Sequence, residues 1–193
     1  MLHMEQKSYI KYNYEIKYEI INALVSDKSH IRGIAKKLRI NHMTVNRKIK
    51  ELENENIIDY KEEGKNKVYF LKSSIEARSY IMIAEIYRLN KALWIYPVLR
   101  GIIEKIQNDK RIGLALLFGS YAKWNAKKDS DIDIYIETND KNIKKDIELV
   151  NSKASIKIGK YDKSNLLIKE IEKNHVIIKG VEDYYEKKFF EKA

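Results

Sequence analysis

The feature that most constrains this chain is the stretch over residues 112–136, which reads IGLALLFGSYAKWNAKKDSDIDIYI. An almost unbroken apolar run ends at Gly119 and Ser120, and Asp131 and Asp133 follow after a ten-residue gap, alternating with isoleucine. The apolar run is typical of a strand covered on both faces. Because strand side chains alternate between faces, both aspartates should project from one face of a second strand. Carboxylates placed there are costly unless a positive charge meets them, so the pattern predicts a bound cation.

The predicted cation is Mg²⁺ or Mn²⁺. Two carboxylates roughly 6–7 Å apart at Cα on one strand face provide the hard oxygen ligands that such ions prefer, together with substrate phosphates. A pair of metal ions can activate an attacking oxygen and stabilise the leaving one. Asp131 and Asp133 are therefore the candidate metal ligands and catalytic residues.

The Gly-Ser pair predicts a phosphate-binding turn. Gly119 lets the backbone turn sharply and lets a phosphate approach closely. A short helix is expected over residues 121–124, with its first N–H groups facing an anion, and Lys123 could reach the same phosphates. Ser120 and Ser130 complete the predicted cofactor-binding set, Ser130 by holding the turn or by supporting the metal ligands. The alternative is a hairpin whose aspartates are exposed and have no function.

The order of apolar strand, Gly-Ser, basic helix and Asp-x-Asp strand in LFGSYAKWNAKKDSDIDIYI resembles the signature of the DNA polymerase beta-type nucleotidyltransferases, above all the minimal nucleotidyltransferases of archaea and bacteria. The resemblance implies a small mixed sheet flanked by helices. It implies transfer of a nucleoside monophosphate from a nucleoside triphosphate, expected to be ATP, to a hydroxyl acceptor. Gly119 and Ser120 would hold the triphosphate, and Asp131 and Asp133 the Mg²⁺.

The chain departs from that family at the third carboxylate, which catalytic members usually carry on a later strand. The candidate strand covers residues 154–158, and Lys157 stands where an acid is expected. Three possibilities are open: Lys157 pairs with the aspartates and displaces a metal, Asp162 or Glu148 supplies the acid, or the alignment is shifted by a few residues.

The N-terminal third predicts helices followed by a hairpin. Residues 14–27 have helical spacing, Ser29 is a plausible N-cap for a second helix, and Asn41 can cap a third, whose apolar stripe is Val45, Ile49 and Leu52. Residues 57–71 alternate around a polar tip at Gly64, which indicates a hairpin.

This order, with the stretch IRGIAKKLRINHMTVNRKIKELENENII, resembles a winged helix-turn-helix. In such domains the third helix enters the major groove of double-stranded DNA and the wing contacts the backbone. Arginine pairs with guanine and asparagine with adenine, while lysines meet phosphates. The candidate DNA-binding residues are Thr44, Asn46, Arg47, Lys48, Lys50, Lys65 and Lys67. The alternatives are a solvated helix face and a protein-contact module.

The predicted fold class is α+β in three segments: a winged helix-turn-helix over residues 1–74, a linking helix over 75–97, and a small mixed-sheet nucleotidyltransferase-like domain over 98–193. The aromatic residues of the linking helix are expected in a core or in a homodimer contact. A net charge of +10 favours polyanionic partners. The absence of cysteine and of a long apolar run predicts a cytoplasmic chain without a membrane segment.

Two functional hypotheses follow. In the first, the protein is a Mg²⁺-dependent nucleotidyltransferase that carries a DNA-binding domain and modifies a protein or RNA hydroxyl. In the second, it is a transcriptional regulator whose nucleotidyltransferase-like domain has lost catalysis and serves as a nucleotide sensor, a dimerisation module or an antitoxin-type partner.

Overall fold

The computed structural model describes residues 16–186, and the chain divides into two compact units at the junction of Tyr87 and Arg88. The boundary lies inside the helix that was predicted as a linker. Each unit is described by itself below. The α+β class, with a helix-turn-helix and wing in the first unit and a mixed sheet in the second, is confirmed.

The first unit begins with three helices: α1 over residues 16–26, α2 over Ile31–Leu38 and α3 over His42–Asn54. Their buried stripes meet in one core that contains Ile20, Ile34, Val45, Ile49 and Leu52. The turn between α2 and α3 forms because Arg39 adopts a left-handed conformation (φ 55°). The Asn41 side chain then accepts a hydrogen bond from the Met43 amide at 2.8 Å, so the predicted cap is confirmed.

The wing is the antiparallel pair β1, Ile58–Glu63, and β2, Asn66–Leu71. Its two-residue turn places Gly64 at φ 63°, which matches the predicted tip. The side chain of β2 that is fully buried is Tyr69, while Val68 and Phe70 are only half-buried. The Ser29 backbone pairs with Tyr69, and α2 is capped by His30 without a side-chain bond. The predicted N-cap at Ser29 is therefore wrong.

The second unit is built on a four-stranded sheet of order β5-β4-β3-β6. The strands are β3, Ala115–Leu117; β4, Ile132–Glu137; β5, Ala154–Gly159; and β6, Val176–Lys179. Strand β3 is antiparallel to both of its neighbours, whereas β4 and β5 are parallel. The helices are α4, Ile75–Ile95, which crosses the unit boundary; α5, Arg100–Asn108; α6, Gly119–Ala122; α7, Lys141–Glu148; α8, Leu166–Lys173; and α9, Val181–Tyr185, with a 3₁₀ turn over Pro97–Leu99.

The two faces of this sheet have different surroundings. The isoleucines of β4 join a buried core with β3, β5, α5 and α7. Because side chains alternate, the residues between them, Asp133 and Tyr135, project from the opposite face. On that second face Tyr135 donates a hydrogen bond to the Gly159 carbonyl at 2.8 Å. The alternation that the sequence showed thus separates an apolar face from a polar one.

Several element ends differ from expectation. Helix α6 begins at Gly119 and not at Tyr121, and α7 ends at Glu148 and not at residue 151.

His175, predicted to be structural, is 4% exposed and its ring lies against Tyr184. Among residues 16–186, no helix combines the length and the apolar character that crossing a bilayer requires.

Candidate functional site

The centre of the site is the contact between Gly119 and Asp133. The amide of Phe118, at the end of β3, donates to the Asp133 carbonyl at 2.9 Å and brings the turn against β4. Gly119 has φ +69°, and a Cβ added to it would lie 3.1 Å from the Asp133 carboxyl carbon and nearer still to Oδ2. Only a residue without a side chain lets the carboxylate lie this close to the turn.

The Asp133 carboxyl group is held in an environment that disfavours its charge. Burial is the largest cause that raises its pKa, and the negative charge of Asp131 raises it further. Hydrogen bonding with Ser155 and the positive charge of Lys157 act in the opposite direction. A bound cation would offset both of the causes that raise the pKa, which makes the carboxyl group a fit metal ligand.

Asp131 stands just before β4 and is exposed to solvent. Its charge acts on Asp133 and also on the Tyr121 hydroxyl, whose pKa burial raises. The structure therefore brings Asp131 and Asp133 close together, although only Asp133 lies within the strand.

The other predicted phosphate-binding residues, Ser120, Lys123 and Ser130, have different hydrogen-bond and ion-pair partners. Ser120 is the second residue of α6, where helix geometry leaves the backbone amides without intrahelical acceptors. The Lys123 ammonium group pairs with Glu170 on α8 at 3.0 Å. The Ser130 hydroxyl accepts a hydrogen bond from the Lys127 amide at 2.8 Å, and thus closes the turn before Asp131. Ser120 lies in the turn, whereas Lys123 and Ser130 each have a structural partner.

Strand β5 supplies two residues to the same face of the sheet. In the parallel register Asp133 is opposite Ser155, and Tyr135 is opposite Lys157. Sequence reasoning placed Lys157 at the position of the third acid, but the residue directly beside Asp133 is Ser155. The sequence did not identify Ser155, because α7 separates β4 from β5 in the chain and the pairing register of the two strands cannot be counted along it.

The two alternative acids do not complete the site. Glu148 belongs to α7, which packs on the apolar face of β5, and it pairs with Lys144 at 3.7 Å. Asp162 accepts from the Ser164 amide at 2.8 Å, and this bond is the first cause that lowers its pKa. Within the described residues, no three carboxylate or imidazole side chains lie close enough to hold one ion.

The residues that are present fit a Mg²⁺ ion bound together with a phosphate ligand. Mg²⁺ usually keeps several waters and is held by one or two carboxylates plus substrate phosphates, not by an all-protein cage. Asp131 and Asp133 supply that number of carboxylates, and Asp133 lies directly against the Gly119 turn.

The first unit presents the outer face of α3. Val45, Ile49 and Leu52 are buried, and Met43 is 61% exposed on the other side. Of the two predicted base-contacting residues, Arg47 is exposed and Asn46 is half-buried; Thr44, a further DNA-binding candidate, is also half-buried. Of the predicted phosphate contacts on α3, Lys50 is exposed, whereas Lys48 pairs with Glu51 at 2.7 Å and is mostly covered.

Some charged side chains of the wing are engaged in contacts within the first unit, so fewer lysines can reach a phosphate than the sequence indicates. Lys65 lies at the exposed tip, and the Lys67 ammonium group lies 3.6 Å from the centre of the Tyr60 ring. Glu63 pairs with both Lys28 and Lys61, at 3.1 Å and 2.9 Å. Lys65 and Lys67 are therefore the wing lysines that stay candidates for the predicted phosphate contacts.

Most of the second unit is similar to a known protein family. Residues 100–183 match the family described as "Polymerase beta, Nucleotidyltransferase". The match begins at α5 and includes the Gly-Ser turn, both aspartates and β6. Over residues 100–183 the second unit is therefore similar to the polymerase beta-type nucleotidyltransferases, as the motif predicted.

The chain also has a curated relative, of whose length it covers only a small part. An uncharacterized HTH-type transcriptional regulator of Methanocaldococcus jannaschii is 41% identical over 61 residues, which are 32% of this chain and only 16% of that relative.

Two solved structures were also compared. The transcriptional repressor BigR from Xylella fastidiosa is 12% identical, with a TM-score of 0.36 over 46% of this chain and 93% of that one. A homodimeric winged helix-turn-helix DNA-binding domain from Mycobacterium bovis is 14% identical, with a TM-score of 0.36 over 47% of this chain and 85% of that one. Similarity at this level supports no further conclusion.

Proposed function

We propose that this protein is a Mg²⁺-dependent nucleotidyltransferase that transfers a nucleoside monophosphate from a triphosphate, expected to be ATP, to a hydroxyl acceptor, and that its first unit binds double-stranded DNA. The observation that supports the enzymatic part most strongly is the Gly119–Asp133 contact. A left-handed glycine packed against a half-buried carboxylate has no evident structural purpose, because burial and the neighbouring charge of Asp131 disfavour the charged form of Asp133 unless a cation is bound.

The chain's own residues would act mainly by binding and orienting the substrate. Asp131 and Asp133 would hold Mg²⁺, which when bound neutralises phosphate charge and lowers the pKa of the attacking hydroxyl. The amides at the start of α6 and the Ser120 hydroxyl would donate hydrogen bonds to the triphosphate. Gly119 would let the backbone of the turn lie directly against the Asp133 carboxylate, so that the metal ligand and the phosphate-binding amides are adjacent. Positioning and electrostatic stabilisation are the main means by which proteins catalyse phosphoryl-type transfers.

The test is incubation of the protein and Mg²⁺ with each of the four nucleoside triphosphates, labelled at the α-phosphate, with and without bulk RNA and cell extract. Release of pyrophosphate together with a label on protein or RNA is expected. If none of the four triphosphates is turned over, the enzymatic part of the proposal is wrong.

The second candidate, a regulator that senses a nucleotide without turning it over, is favoured by one observation. The described part of the site lacks a third carboxylate, and Ser155 lies beside Asp133. Binding of a triphosphate that alters DNA affinity, without pyrophosphate release, would distinguish this regulator from the enzyme. An antitoxin-type role would instead show as co-purification with one helical protein partner in stoichiometric amount.

If the first unit binds duplex DNA as proposed, Arg47→Ala should weaken that binding. Arg47 is exposed on α3 at a position suited to a base edge, and such contacts contribute about 1–3 kcal/mol. We therefore expect affinity for a duplex selected by the wild-type protein from a random library to fall about 5- to 150-fold.

Fluorescence anisotropy at fixed salt measures this change. The control is Arg78→Ala, which removes an exposed arginine from α4 and should leave affinity unchanged. Equal affinities of wild type and Arg47→Ala would refute the placement of α3 in the groove.

A further inference from the structure

Strand β5 brings a lysine to the polar face of the sheet that carries Asp133. Ser155 is opposite Asp133 in the parallel register, and Lys157 is two residues further along the same strand face. The positive charge of Lys157 acts on the Asp133 carboxyl group. The Lys157 ammonium group is thus close enough to act on Asp133, although the Lys157 backbone is opposite Tyr135 and not opposite Asp133.

Lys157 differs from the other lysines near the site in having no partner among the described residues. Lys123 pairs with Glu170 at 3.0 Å. Lys153 donates to the Lys128 carbonyl and lies 3.8 Å from Asp129. Lys157 is exposed, and within residues 16–186 it forms no ion pair with Asp131 or Asp133. It therefore does not block the carboxylates, and its charge remains available to a ligand.

We propose that Lys157 is a nucleotide-binding residue whose ammonium group binds the β- or γ-phosphate of the triphosphate at the β5 edge of the site. This inference rests on the proposed nucleotide site. A triphosphate carries more negative charge than one Mg²⁺ ion neutralises, and an ammonium group is a strong hydrogen-bond donor to phosphate oxygens. Since residues 16–186 bring only two carboxylates together to hold metal, a fixed cation from the chain would supply charge that a second ion would otherwise supply.

The experiment measures binding of the α,β-methylene analogue of ATP, with Mg²⁺, by isothermal titration calorimetry to wild type, Lys157→Ala and Lys157→Arg. Loss of a charge-assisted hydrogen bond should weaken binding to Lys157→Ala about ten- to hundredfold, and Lys157→Arg should retain most of the affinity. The matched control is Lys145→Ala, which removes an exposed lysine from α7, the helix on the other face of the sheet.

AMP separates a phosphate contact from a structural effect. Because AMP lacks the β- and γ-phosphates, Lys157→Ala should bind it as wild type does. Equal affinity of wild type and Lys157→Ala for the triphosphate analogue would overturn the inference, as would an equal loss of affinity for AMP. If wild type itself binds no nucleotide, the proposed function fails before the role of Lys157 is reached, so the two failures are distinguishable.

Discussion

Replacement of Asp133 by asparagine is expected to lower nucleotide turnover by about 10³-fold. A metal ion that neutralises phosphate charge contributes several kcal/mol to the transition state, and each 1.4 kcal/mol is a factor of ten in rate. Asparagine keeps the shape of the side chain but removes the charge that holds the ion. Pyrophosphate release under saturating Mg²⁺ measures the change, and the Mg²⁺ concentration for half-maximal rate should rise.

The fold should tolerate this substitution. Burial and the nearby Asp131 raise the pKa of Asp133, which means that the folded state disfavours its charged form. Removal of that charge should therefore leave the free energy of unfolding unchanged or slightly increased. DNA affinity should also stay the same, because the α3 residues belong to the other unit.

Asp129→Asn is the matched control, since Asp129 is 97% exposed and precedes the site by two turn residues. Wild-type turnover in Asp133→Asn, or an equal loss in Asp129→Asn, would contradict the assignment of Asp133 as the metal ligand.

The elements with local signals were predictable from the sequence. The helix-turn-helix could be identified because Asn41 caps α3 through a contact two residues away and Val45, Ile49 and Leu52 repeat with helical spacing. The Gly-Ser turn and the Asp-x-Asp strand were equally local. Their meeting in space followed from a hairpin-like pairing of β3 and β4, which the ten-residue connection between the motifs permits.

What could not be predicted depends on register and on tertiary packing. β4 and β5 are joined through α7, so nothing in the sequence sets which residue of β5 faces Asp133, and Ser155 was missed for this reason. In the wing, burial follows the contact of Tyr69 with Ser29, which is distant in the chain. Trp124 adopts φ 59°, a conformation unusual for a bulky side chain, and its indole packs against the core of the second unit.

Replacement of Gly119 by alanine is the other substitution with a large expected effect, because it tests the contact on which the proposed site depends. A left-handed conformation costs an ordinary residue about 1–2 kcal/mol, so the second unit should lose at least that much stability. The new methyl group would also collide with the Asp133 carboxylate. Displacement of a reacting group by about 1 Å can lower a rate roughly 10²-fold, and we expect at least that loss of turnover.

Chemical denaturation and the pyrophosphate assay measure the two effects of Gly119→Ala separately. Gly101→Ala is the matched control, because Gly101 lies on the exposed side of α5 and its added methyl group would meet nothing nearer than Val150 at 4.0 Å. Within a helix this change should stabilise the unit by about 0.4–1 kcal/mol and leave turnover intact. If Gly119→Ala behaves like Gly101→Ala, then the turn does not need to lie directly against the Asp133 carboxylate. Gly119 would then be a feature of the fold alone, and its contact with Asp133 would no longer mark the two carboxylates as a substrate site.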